Sequence, residues 1–387
     1  MKPEPLHDFL SKKPLFYDKI DLSRMPRAYE KIENDLRLGR VVHLVGTNGK
    51  GSTGRMLAQM LRRNGRVGHY TSPHILCFNE RIWIDGSDVA DDVLETAHQW
   101  LYPKLGQAIA EELSYFEYTT LLALAAFEGC DFVVLEAGLG GEYDATAVVD
   151  TELTVVTPVG VDHTQFLGET VAEIAATKMR AVRRALLLAP RQDPAVVRMA
   201  HEIAKAQQVP LYETLDVIDD ALRKRIEHET KSAAWPDFLI QNAMTAAAAY
   251  RLLIHETPPL DRLFPLSLPG RFQRLSDRVV VDVGHNEEAA RAAFAAMRGE
   301  KWVLVYNALA DKPIEKVLEI LAPALKRVEI VSIEDERAAS RTRIVEAAGR
   351  VGLSVVPFEG LEAEESYFVF GSFRTVEAFL KRTELGA

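Results

Sequence analysis

Three observations in this sequence predict an α/β fold in two domains. Short strand-like runs alternate with helical patterns along most of the chain, and a glycine-rich loop sits where the first run gives way to a helix. A proline-rich break near 255–270 interrupts the alternation before it resumes. The 387 residues, 48% of them hydrophobic, exceed one typical core and suffice for two.

Apolar runs at 41–45, 66–70, 131–135, 153–157 and 184–188 are separated by helical patterns, the signature of a mostly parallel sheet covered on both faces. The helix after the first run, 52–64, carries Met56, Leu57, Met60 and Leu61 as one stripe, and Gly65 stops it. An alanine-rich amphipathic helix at 242–254 ends before Pro258-Pro259. Residues 1–258 therefore read as one domain, 259–268 as a linker and 269–387 as a second, smaller Rossmann-like domain. Strands are expected there at 278–283, 302–306, 328–333, 353–357 and 366–370, with helices near 287–298, 313–326, 338–349 and 374–382.

A net charge of −10 argues against a nucleic-acid-binding surface, so an anionic ligand must be held by local amides, metal and a few cations. Only Cys77 and Cys130 occur, without a CxxC pattern, and residues 1–8 lack an apolar signal core, which places the chain in a reducing cytoplasm. No apolar run approaches membrane-spanning length.

The loop Gly46-Thr47-Asn48-Gly49-Lys50-Gly51-Ser52 follows the buried-strand pattern Val41-Val42-His43-Leu44-Val45. Its glycines permit positive φ and close backbone approach, and amides at the helix start face outward. Lys50 can neutralise phosphate charge while Ser52 ligates Mg²⁺. The usual phosphate-loop pattern has Ser or Thr directly after the lysine and a glycine six residues before it; Gly51 and Leu44 stand there instead. The first domain is thus P-loop-type with a variant loop. Glu136 ends the run 131–135 and precedes Ala137-Gly138-Leu139-Gly140-Gly141, at the strand end where open α/β sheets place ligand groups. His163 follows the run 153–157 in the same way. Carboxylate, imidazole and serine hydroxyl suit Mg²⁺ or Mn²⁺ beside a nucleotide, the alternative for His163 being a buried, backbone-satisfied histidine. On residues alone Lys178 reads as a solvated lysine on a helix 171–184.

Five stretches in order, the loop at 46–52, Tyr70-Thr71-Ser72-Pro73-His74 with Phe78-Asn79-Glu80-Arg81-Ile82, 135–146, 162–178 and 269–286, resemble folylpolyglutamate synthase and dihydrofolate synthase, amide-forming members of the Mur ligase superfamily. The resemblance implies ATP as substrate, bound through Thr47, Asn48, Gly49, Lys50, Gly51, Ser52, Asn242, Arg271 and Asp282. It implies Mg²⁺, with Mn²⁺ as a substitute and K⁺ as a further ion, held by Ser52, Ser72, Glu136, His163 and a carbamylated Lys178. A carbamate would turn that lysine into a carboxylate-like ligand where an ammonium would repel the metal. Ser72, His74, Phe78, Arg81, Asp144 and Ala145 are implied to bind folate, the stretch from Ser72 to Ile82 acting as a mobile loop, although Phe78 fits a core equally well. Lys50, His163, Asp282 and His285 form the implied catalytic set. An N-cap role for Asn286 and a strand-end turn for Asp282 are the structural alternatives.

The expected activity is ATP-dependent addition of L-glutamate to dihydropteroate, to the glutamate tail of reduced folates, or to both, by a monomer acting on small molecules with neither nucleic acid nor membrane as partner. Two other readings compete. A cell-wall Mur-type ligase would carry an extra N-terminal substrate domain, for which a loop at residue 46 leaves no room. An ATP-hydrolysing switch would need the phosphate loop alone. Relatives usually carry Arg and Asn around the Leu-Asp-Ala-Thr motif, whereas this chain has Glu142 and Ala147; the reversed charge is expected to bear on substrate choice.

Overall fold

The computed structural model describes residues 3–14, 21–297, 301–383 and 385. It divides into two compact units, Met1–Thr230 with Ile240–Ser267, and Lys231–Leu239 with Leu268–Ala387. The first holds an eight-stranded sheet. Its strands are β1 (Arg40–Val45), β2 (Val67–Tyr70), β3 (Ile82–Ile84), β4 (Ser87–Asp88), β5 (Phe132–Glu136), β6 (Leu153–Val156), β7 (Leu186–Leu188) and β8 (Leu211–Glu213), in the order β4-β3-β2-β5-β1-β6-β7-β8. All neighbours are parallel except β2–β3 and β3–β4.

β1 is buried and central, pairing with β5 on one side and β6 on the other, so that Leu44 lies opposite both Glu136 and Val155. The carboxyl ends of these three strands therefore open at one place, where the strand order changes direction. One face of the sheet packs through Val41, Val133 and Leu135 on Tyr118, Leu121, Leu122 and Phe127, and through Val45, Val156 and Leu188 on Ile174, Ala175, Met179 and Val196. Leu44 and His69 on the opposite face meet Gly54 of the helix Lys50–Leu61. The second unit has β9 (Gln273–Ser276), β10 (Val279–Val281), β11 (Trp302–Tyr306), β12 (Leu325–Ile330), β13 (Val355–Pro357) and β14 (Tyr367–Phe370), ordered β13-β12-β11-β14-β10-β9, with only β9–β10 antiparallel. Its core gathers Leu304, Ile314, Leu318, Val328, Phe368 and Phe370. Both units are mostly parallel α/β sheets. Among the described residues no helix is long and apolar enough to cross a membrane.

Several expectations shift. The stretch 78–82 is not a free loop: Glu80 accepts the amides of Ile75, Leu76 and Cys77, and a 3₁₀ turn runs straight into β3. The helix carrying Lys178 spans Val171–Met179 and stops short of 184, since Ala181 and Val182 turn inward to be buried ahead of β7. The alanine-rich helix begins earlier, at Asp237, which sets Asn242 in its second turn. Segment 259–268, expected as a linker, packs within the first unit as far as Ser267. Leu260 and Leu263 are buried, and the Gln59 amide donates to the carbonyls of Arg262 and Pro265.

Candidate functional site

Gly46 leaves β1 at φ 148°, and a Cβ there would lie 2.0 Å from Thr157 Oγ1, so no other residue fits. The amides of Thr47 and Asn48 both donate to Pro158 O, at 2.8 and 3.2 Å. Thr47 Oγ1 donates to Gly160 O and accepts from Gly160 N, each at 3.0 Å. These two residues therefore fasten the loop to the end of β6. The first-turn amides of the helix Lys50–Leu61 have no intrahelical acceptors and lie at the positive end of its dipole, where an anion could be held. Gly49 caps that helix at φ 82°, and a Cβ on it would come within 2.7 Å of Asn242 Oδ1, so the buried Asn242 lies against the loop. Lys50 folds back, its Nζ donating to Gly46 O at 3.2 Å and Thr47 O at 3.4 Å.

Lys178 is not solvated. It is buried, and its Nζ donates to the same Gly46 oxygen at 2.9 Å. Burial, reinforced by the nearby Lys50 charge and opposed by Asp162 and Asp144, lowers its pKa to about 7. The helix Val171–Met179 places it there because Gly141 lets the loop after β5 pass close: a Cβ on Gly141 would stand 2.2 Å from Lys178 O. Glu136 is buried at the end of β5, its Oε2 accepting the Thr71 hydroxyl and, at 3.3 Å, the Ser72 amide. Nothing in the local sequence marks Thr71 as the partner of Glu136. His163 is not a buried histidine. It caps the helix Thr164–Leu167 with φ 51°, and its side chain is 44% exposed, with Nε2 3.9 Å from Asp162.

Among the described residues no three of His, Cys, Asp and Glu gather as a metal site. The available donors are the hydroxyls of Ser52 and Ser72 and the carboxylate of Glu136, hard oxygens that fit Mg²⁺ or Mn²⁺, with the His163 imidazole better suited to Mn²⁺. Lys178 fits such a set only once it has lost its positive charge.

Of the expected folate residues, His74, Phe78 and Arg81 come together. Arg81 Nε donates to His74 Nδ1 at 2.9 Å, the His74 and Phe78 rings meet edge to face, and both Phe78 and the Arg81 guanidinium contact Tyr115. Phe78 also packs against the core. Tyr115 carried no sequence signal. Asp144 and Ala145 lie inward: Ala145 is core, and both Asp144 oxygens are used within the loop. Oδ2 accepts Leu139 N at 2.8 Å, and Oδ1 accepts Thr146 N at 3.0 Å and Thr146 Oγ1 at 2.5 Å. The reversed charge at Glu142 faces Arg180, 3.5 Å away.

In the second unit, Asp282 is likewise engaged by backbone. Oδ2 accepts Phe272 N at 2.8 Å and Oδ1 accepts Gly284 N at 2.7 Å, so its carboxylate ties the turn at Arg271 to the end of β10. Burial raises its pKa against the pull of those amides and of Arg271. The Arg271 guanidinium lies 4.9 Å from the Phe373 ring centroid. His285 Nδ1 is 3.2 Å from Val283 O, and Asn286 caps the helix Glu287–Ala296 through Ala289 N.

The Mur ligase middle domain matches residues 44–250, and the Mur ligase glutamate ligase domain matches 270–376. The dihydrofolate synthase/folylpolyglutamate synthase of Escherichia coli (strain K12) is 33% identical over 362 residues, covering 87% of this chain and 85% of that protein. The crystal structure of Helicobacter pylori folylpolyglutamate synthetase matches at TM-score 0.79 and 38% identity over 97% of each chain. A bifunctional folylpolyglutamate synthase/dihydrofolate synthase with Mn, AMPPNP and L-glutamate bound matches at TM-score 0.79 and 27% identity, over 98% of this chain and 99% of its own.

Proposed function

The chain belongs to the Mur ligase family, among its dihydrofolate synthases and folylpolyglutamate synthases, and from that premise we propose how its residues join glutamate to a folate. It is an ATP-dependent ligase that adds L-glutamate to folates. A carboxylate repels an incoming amine and offers no leaving group. Transfer of the ATP γ-phosphoryl group to the acceptor carboxylate makes an acyl phosphate, and the α-amine of glutamate then displaces phosphate to give the amide.

The convergence of Lys50 and Lys178 on Gly46 O carries this reading. Lys50 and the first-turn amides of Gly51 and Ser52 hold the β- and γ-phosphates and stabilise charge as the phosphoryl group moves. Lys178, buried with its pKa near 7, has a substantial share of neutral amine. That amine adds to CO₂, forming an N–C bond and releasing a proton, and the resulting carbamate is an anionic ligand beside the loop. Ser52, Ser72, Glu136, His163 and the carbamate would hold Mg²⁺ or Mn²⁺, which when bound neutralises phosphate charge. His74, Phe78, Arg81 and Tyr115 offer an aromatic and cationic surface to the folate, while Asp144 shapes the neighbouring loop. Arg271 serves the nucleotide, His285 the amine acceptor, and Asp282 holds the turn that presents Arg271. The protein acts as a monomer in the cytoplasm.

The test is ATP consumption by purified protein with glutamate plus dihydropteroate, with glutamate plus tetrahydrofolate, and with glutamate alone. Turnover should require an acceptor. ATP hydrolysis at the same rate without one would favour the switch reading instead.

A further inference from the structure

Beneath the loop that follows β5 lies a buried histidine that the chemistry above does not use. His43 is fully buried in β1, level with Leu135 of β5 and Thr154 of β6. Its Nε2 stands 2.7 Å from Thr146 Oγ1, which itself lies 2.5 Å from Asp144 Oδ1. A threonine hydroxyl has one proton, and a carboxylate ringed by the donors Leu139 N, Thr146 N and Thr146 Oγ1 can only accept. That proton therefore goes to Asp144, and Thr146 accepts from His43. The tautomer with hydrogen on Nε2 is fixed, and Nδ1 is a bare acceptor without a partner among the described residues. An apolar side chain would fill this strand position without leaving a buried nitrogen unpaired, so what His43 adds here is its one donor.

We propose that His43 is a positioning residue for the acceptor substrate. Through Thr146 it orients Asp144, Asp144 holds the Leu139 amide, and this chain sets the shape of 138–146. The consequence reaches the lysine helix, because Glu142 N donates to Thr177 O at 2.9 Å and Gly141 passes against the Lys178 carbonyl. The inference rests on the reading that the loop 138–146 borders the folate site.

His43→Leu removes the donor at similar volume, while His43→Gln keeps a nitrogen donor at nearly the same reach. In the full-length enzyme, H43L should raise KM for the folate acceptor about threefold to tenfold, as expected for one lost hydrogen bond, leave KM for ATP unchanged, and be largely restored in H43Q. In the ligand-free protein, amide hydrogen exchange across 138–146 should quicken in H43L and return towards the wild-type rate in H43Q. In a Thr146→Val background, H43L should add nothing further. If H43L does not fold, T146S against T146V gives the same comparison, since serine keeps the hydroxyl. Unchanged loop exchange in H43L, or equal behaviour of H43L and H43Q, would overturn the relay. Faster loop exchange with an unmoved acceptor KM would overturn the assignment of the loop to the acceptor, independently of the relay.

Discussion

Lys50 and Lys178 converge on a single acceptor, the carbonyl oxygen of Gly46, at 3.2 and 2.9 Å. Burial is the main reason the pKa of Lys178 falls to about 7, and repulsion from the Lys50 ammonium on the same oxygen adds to it. A carbamate on Lys178 would turn that repulsion into attraction, and Gly46 O would be left to Lys50.

Replacing Lys50 with alanine removes a charge from the loop and little packing, since its bonds go to two loop carbonyls. Amide formation should fall by about two to three orders of magnitude, as for loss of one preorganised electrostatic group. Unfolding free energy should stay within roughly 0.5 kcal/mol of wild type. Near-normal turnover by a folded K50A protein would refute the phosphate role.

Lys178→Ala should lose activity on a similar scale and regain part of it with added formate or acetate, which can occupy the space of the carbamate. The readout is kcat with and without the short carboxylate, with chloride as the control for ionic strength. An enzyme that stays active as K178A would remove Lys178 from the metal set.

The strand-loop-helix setting of the glycine-rich loop is legible in the sequence because β1, β5 and β6 are continuous apolar runs with small residues at their ends, a pattern that needs no partner to be read. The hairpin of β3 and β4 has a local turn signal, Ile82-Trp83-Ile84 before Asp85-Gly86 with both turn residues at positive φ, but its strands are too short to form a strand-length apolar pattern. β8 and β9 are short edge strands with no fully buried residue, so neither carries the apolar run of a covered strand. Burial of Lys178 depends on the close approach of Gly141 and on a carbonyl from a loop 132 residues earlier, which local spacing cannot encode. Asp144 and Asp282 show a related limit. A carboxylate that accepts backbone amides and one that meets a ligand look alike in sequence, and only the hydrogen bonds separate them.

His43 gives the stability a pH signature. Burial, with Arg183 nearby, lowers its pKa from 6.5 to about 4, while Asp144 is reached only through Thr146. The unfolded chain takes up the proton first, so this contribution is intact above pH 6.5 and is lost as pH falls towards 4. At roughly 1.4 kcal/mol per unit the loss is at most about 3.5 kcal/mol. Urea unfolding of wild type and H43Q at several pH values should show the stability of wild type falling relative to H43Q across that window. A pH-independent difference would mean that His43 titrates normally or is protonated in the fold.

The acceptor range follows from what surrounds Glu142. Its reversed charge would bias the site against a polyanionic glutamate tail if it stood alone, but Arg180 lies 3.5 Å away and both side chains are partly exposed. A screened pair of this kind contributes little field at a distance, so Glu142→Ala should change KM for a polyglutamylated folate by less than about twofold. Arg180→Ala, which leaves the carboxylate uncompensated, should raise that KM more than it raises KM for dihydropteroate, which has no glutamate tail. With the pair intact, steady-state assays with ATP and glutamate should show amide formation from both dihydropteroate and a reduced folate. Turnover of only one, where the other demonstrably binds, would mean that the loop discriminates between acceptors by shape, and a bifunctional enzyme would be refuted.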